Sequence, residues 1–372
     1  MPCRFAIISD LHIALPHTVW DAPQRFHLVE VSIPAFEQIL DQLQTEAIDF
    51  LLLPGDLVQH GERENHDWLV QRLAQLPFPT YVAPGNHDVI RREGCQRTLS
   101  LAEFTRLYHP FGYDTPDQPY YHQEVLPGLH LISLNSNGFD PDGQPFHAGY
   151  LDDGQLDWLD QQLTQLQGKL VIVMLHHNAL EHLPGQARSS LGRRYMVENA
   201  AHLTRRLQAA GVPLLLTGHL HVQDIAQADN LTEITTGSLV SYPHPYRILE
   251  LTPVERGHYQ LQVASRRIEA VPGWPSLQAT SRTWMAERSF PFMVKLLTGP
   301  PLHLEPTQAE QYAPRLQHFW ATIAAGDGVF EFPEFPQPVQ QFFHRFSTQG
   351  RPIDNHATLV LKVNRIQVDA ES

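Results

Sequence analysis

Hydrophobic residues gather in short dense runs through the first two thirds of the chain, each run followed by a polar loop and then by apolar residues at helical spacing. The runs "RFAIIS" (4–9), "DFLLL" (49–53), "TYVA" (80–83), "LHLISLN" (129–135), "KLVIVML" (169–175) and "VPLLL" (212–216) predict strands. Between them, Phe36, Leu40, Leu43 and Ala47 recur as one helical stripe, and Leu156, Leu159, Leu163 and Leu166 as another. Strands alternating with helices define an α/β protein. After Val222 the runs shorten to "LTEITTG", "YRILELT" and "YQLQVAS", which predict hairpins closing a second sheet.

Proline and glycine cluster at "VPGWP" (271–275), where the strand pattern stops. The expected organisation is therefore a unit over residues 1–270 and a C-terminal accessory region, a cap or interface, over 271–372. In the latter, helices are expected near 276–297, 307–325 and 337–346, with a strand near 357–363. The segment "FEFPEFP" (330–336) reads as a proline-stiffened packing strip, with a partner surface as the alternative.

Composition narrows the chemistry. The longest clean apolar run, Leu170 to Leu175, is far shorter than the roughly 18 residues of a membrane-spanning helix, so no membrane span is expected. The start "MPCRFAIISD" is too soon interrupted by charge to serve as a signal peptide, and a cytoplasmic location is expected. Cys3 and Cys95 are too few for a disulfide framework or a zinc–thiolate site, so any metal must be held by nitrogen and oxygen. A net charge of −14 argues against nucleic acid as a partner while leaving a small phosphate ester open. Isolated histidines, such as His27, His109 and His130, read as ordinary surface or core residues. His60, His66, His122 and His147 read as solvated loop residues, and Arg91 and Arg92 as solvated surface.

The clustered polar residues fall where predicted strands end. Asp10 and His12 follow the first strand, Asp56 the second, and Asn86, His87 and Asp88 the third; His176 and His177 follow "KLVIVML", and His219 and His221 follow "VPLLL". In an open α/β sheet, ligands bind beyond the carboxyl ends of the strands, so these side chains can converge. Two carboxylates, an amide oxygen and four imidazoles exceed what one divalent ion can use. Two ions sharing a carboxylate are the simplest reading. Such a pair leaves a positive centre for an anionic substrate within an acidic protein.

The ordered set "DLH", "GDLV", "GNHD", a histidine after a buried strand, and "GHLH" resembles the calcineurin-like metallophosphoesterase superfamily. It is most similar to class III cyclic nucleotide phosphodiesterases. The resemblance covers about residues 4 to 250 and includes "GYLDDGQLDWLDQQL", which is similar to the family's helix before the His-bearing strand. It implies a two-sheet α/β/β/α sandwich, here with a mainly helical C-terminal extension. It implies Asp10, His12, Asp56 and His221 as ligands of a first divalent ion, and Asp56, Asn86, His176 and His219 as ligands of a second, with Asp56 bridging. His87 then donates a proton to the leaving oxygen or stabilises charge on phosphorus, and Asp88 orients it. Family members often carry proline soon after the strand-ending histidine, whereas this chain reads "HHNAL"; His176 is favoured over His177 because it is nearer the strand.

The expected function is hydrolysis of a small phosphodiester by hydroxide formed from water shared between two ions, with 3',5'-cyclic nucleotides as first candidates. Manganese, iron or zinc suit the donors. A DNA exonuclease, a phosphomonoesterase or phospholipid-headgroup hydrolase, and a non-catalytic scaffold are the competing functions. The C-terminal region offers a homodimer or partner interface.

Overall fold

The computed structural model describes residues 2–20, 25–348 and 353–363. Twelve strands among them form two six-stranded sheets. In chain order they are β1 (Cys3–Ile7), β2 (Phe50–Leu53), β3 (Thr80–Val82), β4 (Tyr121–Leu126), β5 (Leu129–Ser133), β6 (Leu170–Met174), β7 (Leu214–Thr217), β8 (Asp224–Ala228), β9 (Leu231–Thr235), β10 (Pro245–Glu255), β11 (His258–Arg267) and β12 (His356–Lys362). The first sheet runs β12-β11-β10-β1-β2-β3, and the second β4-β5-β6-β7-β9-β8. β1, β2 and β3 are parallel, as are β5, β6, β7 and β9.

The period-two alternation of β6 shows how the layers form. Leu170, Ile172 and Met174 join the core shared with Phe5, Ile7 and Leu52 of the first sheet, whereas Val171 and Val173 face Leu156, Leu159 and Leu203 of the helices Asp153–Gln165 and Ala200–Ala209. Residues buried on both faces explain why the run is continuously hydrophobic. On the other side, Phe36, Ile39, Leu40 and Leu43 of the helix Ser32–Gln44 pack into the first sheet's core. The result is the expected α/β/β/α sandwich.

Two expectations are corrected. The strands around 246–252 and 259–265 do not help close the second sheet: β10 pairs antiparallel with β1 from Cys3 opposite Leu251 to Ile7 opposite Arg247, extending the first sheet. The stretch expected as one helix over 307–325 is broken into Pro306–Tyr312 and Phe319–Ala324 around a 3₁₀ turn, Ala313–Leu316. Pro314 lies at the break, where it lacks the N–H a continuous helix needs.

The C-terminal region is tied to the rest at both ends of its path. β12 pairs antiparallel with β11, so the extension returns a strand to the edge of the first sheet. Its helices, led by the 22-residue Leu277–Thr298, form a separate apolar core with Phe319, Phe330, Phe335 and Phe343, which places "FEFPEFP" as packing. Leu220 and Val222 belong to that same core. No helix among the described residues is long and apolar enough to cross a membrane.

Candidate metal centre

Parallel strands place their carboxyl ends side by side, and the loops that follow carry the polar side chains to one mouth. Backbone contacts hold these loops together: Asp10 N–H donates to Gly55 O at 3.2 Å, His12 N–H to Asp56 O at 2.9 Å, and Gly218 N–H to His176 O at 3.1 Å. Asp10, His12, Asp56, His219 and His221 all have positive φ, between 43° and 64°. This left-handed conformation is unfavourable for residues bearing a Cβ and is typical of functional sites held by their surroundings.

Two groups of donors result. Ligand atoms of Asp10, His12, Asp56 and His221 lie within 4.8 Å of one another, as do those of Asp56, His176 and His219. Asp56 belongs to both. His221 Nε2 is 2.9 Å from Asp10 Oδ1, and His12 Nε2 is 3.7 Å from Asp56 Oδ2. In the second group His176 Nε2 stands 3.2 Å from both Asp56 Oδ2 and Asn86 Oδ1. His176 Nδ1–H donates to Pro54 O at 2.9 Å, which fixes the tautomer and turns Nε2 toward the carboxylate.

The donor set fits divalent cations. Both ring nitrogens of His12 are buried with no hydrogen-bond partner among the described residues, a cost that an ion would remove. Burial, together with neighbouring imidazoles, holds His12 and His219 well below the usual histidine range, so each keeps a lone pair. Asp10 is fixed by the hydroxyl of Ser9 and by the His219 N–H, 3.1 Å from Oδ2. Imidazole and carboxylate without thiolate suit manganese, iron or zinc.

The histidine pair after β6 divides its work. His176 stands among the donors, while His177 is buried with Nδ1 2.8 Å from Ser136 Oγ, its ring 4.2 Å from that of His219. Asp88 also departs from expectation. Its buried carboxylate accepts from Gly85 N–H at 2.7 Å and Val58 N–H at 2.9 Å, and the His87 ring is held instead by Gln59 O, 2.6 Å from Nδ1. Asp88 thus shapes the loop rather than orienting the ring.

Other residues escape local pattern. The ring of His27 lies 4.7 Å from those of both His12 and His221, and its nitrogen joins theirs in a third group within 4.8 Å. A lone histidine in a loop gives no sequence signal of this. A pocket of about 540 Å³ opens over the centre, lined by His27, His60, His87, His147, Arg25 and Arg194. His60 and His147 therefore face the site, whereas His66 is buried against Tyr108 and His122 pairs with His130. Arg91 and Arg92 are exposed, as expected.

Residues 3–223 match the family model described as calcineurin-like phosphoesterase. The chain belongs to that family. Among relatives of this phosphoesterase, a 3',5'-cyclic-nucleotide phosphodiesterase from Nostoc sp. (strain PCC 7120) is 25% identical over 286 residues, covering 71% of this chain and 96% of the relative. A probable glycerophosphodiester phosphodiesterase from Arcobacter nitrofigilis is 26% identical over 177 residues, 46% of this chain and 56% of the relative. A dimetal phosphatase from Danio rerio shares the fold at a TM-score of 0.54 and 13% identity, covering 71% of this chain and 96% of the other.

Proposed function

We propose that this phosphoesterase hydrolyses a small phosphodiester at a pair of divalent ions. The observation that carries the reading is the position of Asp56 in two donor groups at once. Asp10, His12, Asp56 and His221 would hold one ion, and Asp56, Asn86, His176 and His219 the other. When bound, the pair supplies Lewis acidity toward the phosphoryl oxygens and lowers the pKa of a water that attacks phosphorus.

The chain's own residues do the rest. His87 N–H donates to Asp56 Oδ1 at 2.8 Å, which ties the proton donor to the bridging carboxylate. Gln59 O accepts from Nδ1–H at 2.6 Å, which leaves Nε2 as the ring nitrogen that would exchange a proton with the ester. Arg25, Arg194, His60 and His147 line the pocket and give it positive or neutral hydrogen-bond donors for an anionic ester.

Relatives named as cyclic nucleotide phosphodiesterases support 3',5'-cAMP as the first substrate to test. The glycerophosphodiester relatives support a second reading, a glycerol-linked diester. The test is a screen of metal-reconstituted protein against cyclic nucleotides, glycerophosphodiesters, bis(p-nitrophenyl) phosphate, a monoester and single-stranded DNA. Turnover of a diester well above the monoester and DNA is expected; preference for either of the latter would overturn the proposal.

A further inference from the structure

A second cavity, of about 370 Å³, adjoins the metal centre along the seam between the loop after β6 and the C-terminal helices. Tyr195, Phe292 and Trp320 line both this cavity and the pocket over the centre. Tyr195 is the link: its ring lies 5.2 Å from that of His219. One aromatic residue therefore separates the apolar space from a metal-binding imidazole.

The lining changes character away from the shared aromatics. Leu183, Leu191 and Leu296 contribute aliphatic surface, and these leucines are only half-buried. Aliphatic surface left open beside a polar reaction centre is what a substrate's hydrocarbon would cover. Arg188 and Arg345, both exposed, and Ser189 also line the cavity, and Gln186 adds a buried amide: its Oε1 accepts from His182 N–H at 2.8 Å, while Nε2 has no partner among the described residues. That amide N–H matches the carbonyl oxygen of an acyl ester. No acidic side chain lines the cavity among the described residues, so nothing there repels a phosphate-bearing molecule.

We propose that this cavity takes the hydrocarbon chain of the substrate, so that the phosphodiester acted on is a single-chain acyl or alkyl amphiphile with its phosphorus at the metal pair. The inference rests on the phosphodiesterase reading above and names its substrate class. Burying a methylene contributes at most about 0.8 kcal/mol, a factor of roughly four in kcat/KM.

The experiment uses full-length, manganese-loaded protein and p-nitrophenyl alkyl phosphates from methyl to dodecyl, below micelle-forming concentrations. The expected result is a rise in kcat/KM of at least about 100-fold along the series, within that per-methylene limit. Leu296→Arg should flatten the rise while leaving the methyl ester within about twofold of wild type, by the same transfer argument. A flat series in wild type, with the methyl ester turned over, would overturn the proposal. Calorimetry with dodecyl(methyl)phosphinate, in which both groups are joined to phosphorus through carbon and no ester bond exists to cleave, decides the matter independently of turnover: binding lost in Leu296→Arg supports the cavity as the chain's site, and absence of binding refutes it. Failure of every ester with chain-dependent binding intact would instead refute the phosphodiesterase reading.

Discussion

Gly85 and Asp56 approach so closely that a Cβ on Gly85 would stand 2.1 Å from the Asp56 nitrogen and 2.3 Å from its Oδ1. The glycine before Asn86 is thus a spatial requirement of the Asp56 carboxylate, the proposed bridge between the ions. Gly85→Ala is expected to displace Asp56 and to lower metal affinity by at least roughly tenfold, as loss of ligand support commonly does. Titration of the apo protein with manganese, followed by calorimetry, checks this; unchanged affinity for both ions would show the loop to be more yielding than its contacts imply.

His87 and Asp56 should separate chemistry from metal binding. His87→Ala is expected to keep two ions per chain while losing about 10²- to 10⁴-fold in kcat, the usual span for a general acid. Asp56→Asn should lose bound metal as well as turnover. Metal content by mass spectrometry beside steady-state rates tells them apart, and loss of metal from His87→Ala would refute its assignment as proton donor.

Removing metal should weaken the fold. Buried imidazoles and carboxylates that ligate an ion in the native state, and not in the unfolded chain, add binding energy to stability. Thermal melts with and without a chelator should therefore differ, by about 2.7 kcal/mol for each ion bound at a concentration 100 times its Kd. Coincident melts with stoichiometric metal present would contradict the geometry.

A second buried network predicts a pH dependence of stability. His182 Nδ1 is 2.7 Å from Asp224 Oδ2 and Nε2 3.1 Å from Glu233 Oε1. Burial opposes charge on this imidazole, but the Glu233 and Asp224 carboxylates override it and push it up to about 9. The folded state then binds more protons than the unfolded state between the ordinary histidine value near 6.5 and about 9. The contribution is complete below that window and is lost as pH rises through it. Urea unfolding from pH 6 to pH 10 should show the decline, and His182→Gln should reduce its slope.

The strands that carry the proposed ligands are legible because each is a short run with at most one residue not buried, and the proposed ligands because they follow those runs closely. β4 was missed: Tyr121–Leu126 is an edge strand with only Tyr121 buried, so neither periodicity nor density marks it. Pairing of β10 with β1 joins residues more than 200 apart, which no local pattern encodes. The same applies to the wall of the site. His27, Tyr195 and Trp320 come from unrelated loops and helices and acquire their roles only when the chain has closed.

Leu220, flanked by His219 and His221, the proposed metal ligands, is buried in the apolar core of the C-terminal helices. That placement makes the extension a clamp on the turn that carries both imidazoles: a chain truncated at residue 270 would lose the packing that pins it, and the two rings proposed to coordinate metal would be free to wander together.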